Sequence, residues 1–213
     1  MKIALIGATG FVGSALLTET LSRGHEVIAL SRSPAKLASQ PNLRVVVADV
    51  YDSAQVAKAV QGVDIVLSAF NPGWDKADIH DLFLQGQDAI VAGVKAAGVK
   101  RFISIGGAGS LFVAPGVQLV DTPDFPPQYR QGALAAREAL NRIQGEAELS
   151  WSFVSPPVFL APGERTGQYR LGQDEVLFDG GQPAGISTAD LAVAVLDEVQ
   201  TPRHIRRRFT AAN

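Results

Sequence analysis

The sequence has 213 residues and a formal net charge of −2 at pH 7, with 46% hydrophobic and 19% charged residues. This balance is typical of a globular protein with a sizeable core and gives no bulk attraction to nucleic acid or an anionic membrane. The chain contains no cysteine, which excludes disulfides, a thiolate nucleophile and cysteine metal sites. No apolar run reaches membrane-spanning length, and a strand follows the first lysine, so we expect no signal peptide and a cytoplasmic location.

The N-terminal segment reads as a buried strand, a glycine turn and a helix. The apolar run Ile3–Ile6 suits a central parallel strand, which is covered on both faces. Gly7, Gly10 and Gly13 follow with the spacing Gly-x-x-Gly-x-x-Gly. They allow a tight turn, close approach of a bound group and close packing of helix on strand. A helix that begins here directs free N–H groups at the turn, which favours a pyrophosphate.

The second predicted strand, Glu26–Leu30, ends in a way that bears on the choice of cofactor. An acidic residue at this place would bind the ribose hydroxyls of NAD. The sequence has Ser31-Arg32-Ser33 instead. A guanidinium beside two hydroxyls suits a 2′-phosphate, so Arg32 favours NADP(H) over NAD(H), unless it is a solvated loop charge.

Two further strands and a helix continue the alternating pattern. The strand Leu43–Ala48 precedes Asp49 and Val50, which could meet an adenine ring, although Asp49 could instead cap the next helix. That helix is predicted over Ala54–Val60. The strand Val63–Leu67 follows, and the turn after it, with Ala69 and Phe70, is expected near the nicotinamide ribose because ligands lie at the carboxyl ends of the strands.

Acidic residues cluster around the start of the next predicted helix, which runs through Val94. Asp75, Asp78, His80 and Asp81 lie there, and a metal site is conceivable. Acidic residues also favour a helix N-terminus and no further ligand is evident, so we predict no metal.

A long irregular segment follows the fifth predicted strand, Lys100–Ile105, and its glycine-rich end Gly106–Ser110. Residues Leu111–Gln128 show no helical or strand periodicity and contain four prolines. The segment is too apolar for disorder, so we predict a wall or lid of the active site. A helix is predicted over Tyr129–Ile143.

The last part of the chain begins with the strand Leu149–Val154, which ends in Ser155-Pro156-Pro157-Val158. These prolines could back a flat nicotinamide ring or merely end the strand. A short strand is predicted over Glu175–Phe178 and a helix from the capping residue Ser187 through Val199. We interpret Arg206–Arg208 as the solvated face of a final strand.

Together these elements predict an α/β fold, a Rossmann-like doubly wound parallel sheet with a small C-terminal elaboration. We expect residues 1–213 to form one NAD(P)-binding domain, with residues 160–213 contributing to the substrate side. The chain resembles the atypical short-chain dehydrogenase/reductase superfamily. Within it, the chain is similar to the NAD(P)H-binding, NADH-flavin reductase group and to flavin/biliverdin-IXβ reductases. The motifs that carry this resemblance are Gly7–Gly13, Gly106–Ser110, Ser155–Pro157, Gly163–Gly167 and Ile186–Asp190.

The resemblance implies a set of cofactor-binding residues. It implies that Gly7, Thr9, Gly10, Phe11 and Val12, with Ala8 between them, hold the pyrophosphate, and that Arg32 binds the 2′-phosphate. Asp49 and Val50 would meet adenine, Ala69 and Phe70 the ribose region, and Pro156, Pro157 and Val158 the nicotinamide side, with Ser104 and Gly106 completing the set.

One departure from the superfamily concerns catalysis. Enzymes that oxidise alcohols use Tyr-x-x-x-Lys, in which the lysine lowers the pKa of the tyrosine. Tyr129 stands near the expected helix start, but Ala133 occupies the lysine position. Hydride transfer to a flavin or quinone needs less from the protein because the conjugated acceptor takes up the charge.

The sequence therefore predicts an NADPH-dependent reductase of a flavin, quinone or similar planar acceptor. Ser110 would make a polar contact to that acceptor, and Tyr129 would be a weaker proton donor. One alternative is a non-enzymatic NADP(H) sensor that binds a partner protein. A nucleotide-sugar epimerase or dehydratase fits less well because the lysine is missing. Either a monomer or a homodimer is compatible with the sequence.

Overall fold

The computed structural model describes residues 1–213, with the exception of the Lys36 side chain. The helices are α1 (Phe11–Ser22), α2 (Ser53–Val60), α3 (Ile79–Ala96), α4 (Pro127–Gln144) and α5 (Thr188–Gln200). The strands are β1 (Lys2–Ile6), β2 (Glu26–Ser31), β3 (Leu43–Val47), β4 (Ile65–Ser68), β5 (Arg101–Ile105), β6 (Phe112–Ala114), β7 (Val117–Gln118), β8 (Ser150–Val154), β9 (Phe159–Ala161), β10 (Arg170–Gly172), β11 (Phe178–Asp179), β12 (Gln182–Pro183), β13 (Gly185–Ser187) and β14 (Arg207–Ala212).

An eight-stranded sheet with the order β10-β14-β8-β5-β4-β1-β2-β3 organises the molecule. Its neighbouring strands run parallel, apart from the antiparallel edge pair β10–β14. The strand order reverses between β1 and β4, and in such sheets a ligand binds at this switch point, beyond the carboxyl ends of the strands. The predicted doubly wound, Rossmann-like fold is confirmed.

Helices cover both faces of this sheet, which is why its strands are apolar on both sides. Ala4 and Ile6 of β1 pack in one core cluster with residues of α2, α3 and α4. Ile3 and Leu5 of the same strand pack in the other cluster with residues of α1 and α5. The side chains of β1 thus alternate between the two core clusters, one on each face of the sheet.

Most predicted elements are present, with shifted ends. The helix predicted from Tyr129 is α4, which begins at Pro127, a residue suited to a first helical position because it needs no N–H partner. The strand predicted over Glu175–Phe178 is wrong in its extent. Glu175 forms only an isolated bridge with Phe112, and the strand β11 is Phe178–Asp179.

The segment Leu111–Gln128 is more regular than predicted. It contains the antiparallel pair β6–β7 and a single 3₁₀ turn over Leu119–Asp121. Each piece is shorter than the stretch in which a periodicity can be recognised, so the sequence pattern did not reveal them.

The C-terminal elaboration, residues 160–213, contains α5 and β14 together with short strand pairs. Strand β13 pairs with β9 in parallel, β11 pairs with β12, and β10 extends the main sheet beside β14. No helix of the described chain is long and apolar enough to cross a membrane.

Candidate active site

The glycine turn between β1 and α1 is held by backbone contacts that exclude side chains. Gly7 has φ of +81°, and a Cβ there would lie 2.5 Å from the carbonyl oxygen of Ala69. A Cβ on Gly13 would lie 1.9 Å from the carbonyl oxygen of Gly7. The residue after β4, the turn and the first turn of α1 therefore touch backbone to backbone. The close approach at Gly13 agrees with the predicted packing of helix on strand, whereas the contact of Gly7 with Ala69 was not predicted.

The N-terminus of α1 faces the carboxyl edge of the sheet. The N–H of Gly10 donates to the carbonyl of Gly7 over 2.9 Å, and Gly10 occupies the N-cap position without any capping side chain among the residues described. Thr9, Gly10 and Phe11 are exposed, whereas Ala8 is buried and Val12 is half-buried. An uncapped helix N-terminus with an open approach fits the pyrophosphate of a dinucleotide.

Arg32 lies directly after β2, with an exposed side chain. In the part of the chain that the structure describes, it forms neither an ion pair nor a side-chain hydrogen bond. The charge of Arg32 acts on Tyr51. Burial raises the pKa of the Tyr51 hydroxyl, and the positive charge of Arg32 opposes this increase. The guanidinium thus lies near the ends of β2 and β3, where the sequence places the adenosine side.

Asp49 does not cap α2. The capping residue is Asp52, whose Oδ1 accepts from the N–H groups of Ala54 and Gln55 at 2.9 and 3.2 Å. Asp49 accepts from the N–H of Tyr51 at 3.1 Å, and Asp49, Val50 and Tyr51 are all half-buried. The capping alternative for Asp49 is therefore wrong.

Phe70 packs into a recess that the sequence did not reveal. A Cβ on Gly86 of α3 would lie 2.4 Å from Cε1 of the Phe70 ring, so only glycine leaves room for it. The ring stacks on Phe83 with centroids 6.0 Å apart and meets Tyr51 edge-on at 5.7 Å. Tyr51 and Gly86 thereby shape the wall beside Ala69 and Phe70. A glycine inside a helical pattern, as at position 86, is the signal that could have indicated this close approach.

Ser104 is buried within β5, and Gly106, directly after this strand, is half-buried. The Oγ of Ser104 accepts from Nε2 of Gln87 over 2.8 Å. The N–H of Gly106 donates to the carbonyl of Val154 over 2.8 Å, and a Cβ at Gly106 would lie 2.1 Å from the Phe153 ring. Ser104 is therefore engaged by the protein itself, whereas Gly106 allows a close approach of two strand ends.

The segment after β8 contains an unpaired polar atom. Ser155, Pro156 and Pro157 are buried and Val158 is half-buried. The Oγ of Ser155 has no hydrogen-bond partner among the residues described, although it is inaccessible to solvent. A buried hydroxyl without a partner is costly, and a polar group of a bound cofactor beside the two prolines would satisfy it. The residues at this edge fit a nicotinamide dinucleotide.

Ser110 is buried at the end of the turn after β5. Its Oγ and its carbonyl oxygen each accept a hydrogen bond from Nη1 of Arg208 at 2.9 Å. Arg208 also forms an ion pair with Asp174 at 2.6 Å. The interpretation of Arg206–Arg208 as the solvated face of a final strand is correct only for Arg207. Arg206 is exposed but lies in the turn before β14, and Arg208 is buried.

Tyr129 lies in the first turn of α4 and is exposed. Four residues later, Ala133 is buried against the turn after β5: a Cβ on Gly109 would lie 2.8 Å from the Ala133 Cβ. A lysine would not fit at this position without moving α4 away from that turn. α4 therefore packs against this turn through small residues, and the position four residues after Tyr129 holds Ala133 instead of a lysine.

The β6–β7 hairpin and the turn after it contact both α4 and the C-terminal part of the chain. Leu111 and Val120 are buried, and Arg137 of α4 forms an ion pair with Asp121 at 2.7 Å. The N–H of Phe112 donates to the carbonyl of Asp174 over 2.8 Å. The segment that the sequence predicts as a wall or lid is thus held from two sides.

Asp75, Asp78, His80 and Asp81, around the start of α3, do not come together as a ligand set. His80 Nδ1 lies 3.0 Å from Asp81 Oδ1. Within the described part of the chain, no group of three or more His, Asp or Glu side chains has the geometry of a metal site.

Comparison with known proteins agrees with this geometry. Residues 7–202 match the NAD(P)H-binding family. The chain belongs to this family, within the atypical short-chain dehydrogenase/reductase superfamily. It is an oxidoreductase that uses a nicotinamide cofactor.

Relatives of similar length come from several bacteria. The uncharacterized protein YwnB of Bacillus subtilis is 38% identical, with 100% of this chain and 99% of YwnB covered. A protein from Bacteroides thetaiotaomicron, named as a proposed epimerase, is 45% identical, with a TM-score of 0.93 and 99% and 96% of the two chains covered. A protein from Streptococcus pneumoniae TIGR4, named as a proposed NADH-flavin reductase, is 31% identical, with a TM-score of 0.85 and 100% and 99% coverage.

The sequence match to a longer enzyme covers only part of that enzyme. A 3-beta-hydroxysteroid dehydrogenase of Mycolicibacterium neoaurum is 28% identical, and the chain spans 49% of its length.

Proposed function

We propose that this protein is an NADPH-dependent reductase of a flavin, quinone or similar planar acceptor. The observation that carries the proposal is the packing at Ala133. The position at which alcohol-oxidising relatives need a lysine is filled by a buried alanine that contacts the Gly109 turn. Tyr129 therefore lacks the lysine partner with which such relatives carry out acid/base catalysis on alcohols and ketones. A conjugated acceptor removes this requirement.

The predicted cofactor-binding residues each bind one part of NADPH. The uncapped N-terminus of α1, with Gly7, Ala8, Thr9, Gly10, Phe11 and Val12, binds the pyrophosphate. Arg32 binds the 2′-phosphate and so selects NADPH, and Asp49 and Val50 contact adenine. Ala69 and Phe70 line the ribose region, and Ser104, Gly106, Pro156, Pro157 and Val158 surround the nicotinamide.

The reaction is a two-electron reduction. Bound NADPH supplies a hydride from its nicotinamide ring, and the acceptor also takes up one proton, so that NADPH becomes NADP⁺ and a quinone becomes a hydroquinone. The protein mainly orients the two rings and excludes water from between them. Ser110 makes a polar contact to the acceptor. Tyr129 lies at the exposed start of α4 and donates the proton, or water does so.

Residues 160–213 contribute to the substrate side of this single domain. The N–H of Val176 donates to the carbonyl of Phe112 over 2.9 Å, and Asp174 accepts from the N–H of Phe112. These contacts support a role for the C-terminal elaboration in holding the wall of the acceptor site.

A steady-state assay tests the proposal. Purified protein is incubated with NADPH and a panel containing riboflavin, FMN, menadione and benzoquinone, and NADPH oxidation is followed at 340 nm. We expect turnover with at least one of these acceptors and none with simple secondary alcohols plus NADP⁺. Tight NADPH binding without turnover of any acceptor contradicts the proposal and favours an NADP(H) sensor, which would bind a partner protein in only one redox state of the cofactor.

A further inference from the structure

The connection between β4 and α3 presents a large aromatic side chain to solvent at the cofactor edge of the sheet. Trp74 is 55% exposed, and the neighbouring Tyr129 is 47% exposed. Their ring centroids lie 5.3 Å apart at an interplanar angle of 81°. Trp74 follows the strand that ends beside the glycine turn, and Tyr129 begins a helix at the same edge. Two adjacent aromatic side chains exposed at a ligand-binding edge indicate a recognition surface.

Local structure holds Trp74 in place. A Cβ at Gly132 of α4 would lie 2.6 Å from Cζ3 of the Trp74 ring, so the indole rests directly on the helix backbone. The N–H of Gly73 donates to Oδ1 of Asn71 over 2.8 Å, and Gly73 has φ of +120°, which turns the chain immediately before the tryptophan. The Trp74 ring is therefore held by the chain turn at Gly73, by its contact with the backbone at Gly132 and by its edge contact with Tyr129.

We propose that the Trp74 indole is an aromatic platform on which the planar acceptor stacks, with the Tyr129 ring, at 81° to the indole, bordering that surface. The inference rests on the proposed function and assigns the acceptor to the class of flat conjugated rings, such as an isoalloxazine or a naphthoquinone. Offset stacking of such a ring on an indole is favourable because both surfaces are flat, apolar and polarisable. Charge does not define this surface: Asp75 beside Trp74 is offset by Lys76, whose Nζ lies 3.8 Å from its carboxylate. A neutral ring fits it better than an ionic ligand.

The chain carries its own spectroscopic probe for this platform. It contains two tryptophans, Trp74 and Trp151. Trp151 is only 2% exposed, and its Nε1 donates to the carbonyl of Glu146 over 3.3 Å. In the Trp151→Phe variant the emission reports Trp74 alone, and in Trp74→Phe it reports Trp151 alone. Acrylamide quenching therefore distinguishes the exposed platform from the buried control.

The test uses protein loaded with NADP⁺, so that no turnover takes place, and riboflavin or menadione as the probe. Fluorescence lifetimes are measured, because they separate collisional quenching from absorption of the emission by the probe. We expect a saturating probe to lower the acrylamide quenching constant of Trp74 at least threefold and to leave that of Trp151 unchanged. We also expect Trp74→Ala to raise the Kd of riboflavin about tenfold, with Trp74→Phe within threefold of wild type and NADPH affinity unchanged in both.

The outcomes separate this inference from the function on which it rests. If the protein reduces riboflavin or menadione while Trp74 stays equally accessible to acrylamide, the platform is wrong and the reductase stands. If a probe protects Trp74 but no acceptor is turned over, the platform stands and the reductase is wrong. Equal loss of riboflavin and NADPH affinity in Trp74→Ala also overturns the platform, since it indicates a general structural effect.

Discussion

Nη1 of Arg208 donates hydrogen bonds to both the Oγ and the carbonyl oxygen of Ser110, each over 2.9 Å. This pair connects β14, near the end of the chain, to the turn that follows β5. Because the cation occupies a lone pair of the Ser110 Oγ, the hydroxyl proton remains available to a third group. The C-terminal strand therefore orients the serine that we propose as a contact to the acceptor.

Replacement of Arg208 by methionine is expected to destabilise the protein by about 2–4 kcal/mol. The variant leaves the buried Ser110 oxygens without their charged donor, while the exposed Asp174 partner can be solvated again. Urea unfolding followed by circular dichroism measures this change. Arg207→Met is the matched control, because Arg207 is the exposed neighbour on the same strand, and we expect its effect to be within about 0.5 kcal/mol. Equal effects of the two changes would show that the Ser110 contact contributes nothing.

Arg32→Ala is expected to weaken NADPH binding by about 1.5–3 kcal/mol, the scale of a charge-assisted hydrogen bond, and to leave NADH binding nearly unchanged. The reason is that only NADPH carries the 2′-phosphate that the exposed guanidinium would bind. Calorimetric titration with each cofactor measures the difference. Arg44→Ala, a change to an exposed arginine on the edge strand β3, should leave both affinities as in wild type. Equal losses for NADPH and NADH in Arg32→Ala would mean that Arg32 does not recognise the 2′-phosphate.

Local patterns predicted the fold, whereas contacts between distant residues escaped prediction. The apolar strands, the glycine turn and the Ser187 cap are properties of neighbouring residues, and the structure has them. The burial of Arg208 depends on Ser110, 98 positions away. A run of three arginines normally indicates a solvated surface. Nothing in the neighbouring sequence indicates the contacts with Ser110 and Asp174 that bury Arg208. The Phe70 recess likewise needs Gly86, which lies on α3.

The cofactor side of the candidate site could be predicted from the sequence, whereas the proposed acceptor surface at Trp74 could not. The glycine turn and the proline pair carry their own sequence signals, since each residue type imposes a backbone geometry. Trp74 carries none, because a single tryptophan in a loop is as compatible with a core position as with an exposed one. The exposure of Trp74 and its contact with Gly132 depend on the packing of α4 beside the connection after β4.

Ala133→Lys is expected to destabilise the protein by about 1–3 kcal/mol and to produce no alcohol dehydrogenase activity. The new side chain would have to fit between α4 and the Gly109 turn, where overpacking displaces the helix. Thermal unfolding and an assay with NADP⁺ and secondary alcohols measure the two effects. Gln131→Lys, at an exposed position of the same helix, provides the control. Normal stability together with new alcohol oxidation would contradict the packing argument that supports the proposed reductase.

Glu198→Gln is expected to reduce stability most at neutral pH and progressively less in acid. Burial raises the pKa of Glu198, but hydrogen bonds from the N–H groups of Arg203 and His204 and from the His204 ring outweigh it, so that the pKa lies below its usual value. Glu198 also forms a 2.8 Å ion pair with Arg101, and both side chains are largely buried. A carboxyl group with a lowered folded-state pKa stabilises the protein above its unfolded-state pKa, and this stabilisation is lost as the pH falls through the folded-state pKa.

At pH 7 the loss in Glu198→Gln should reach about 3–5 kcal/mol, because Arg101 keeps its charge in a buried place without a carboxylate. Urea unfolding of wild type and variant between pH 3 and pH 7 gives the difference in unfolding free energy. We expect this difference to be constant near neutrality and to shrink from about pH 5 downward, since the unfolded carboxyl titrates near 4.5. Glu164→Gln, which changes an exposed carboxylate, should show no such trend. A Glu198→Gln difference that stays constant down to pH 3 would mean that the carboxylate charge does not stabilise the fold and that Arg101 is held by its contacts with Ser150 and Ser152.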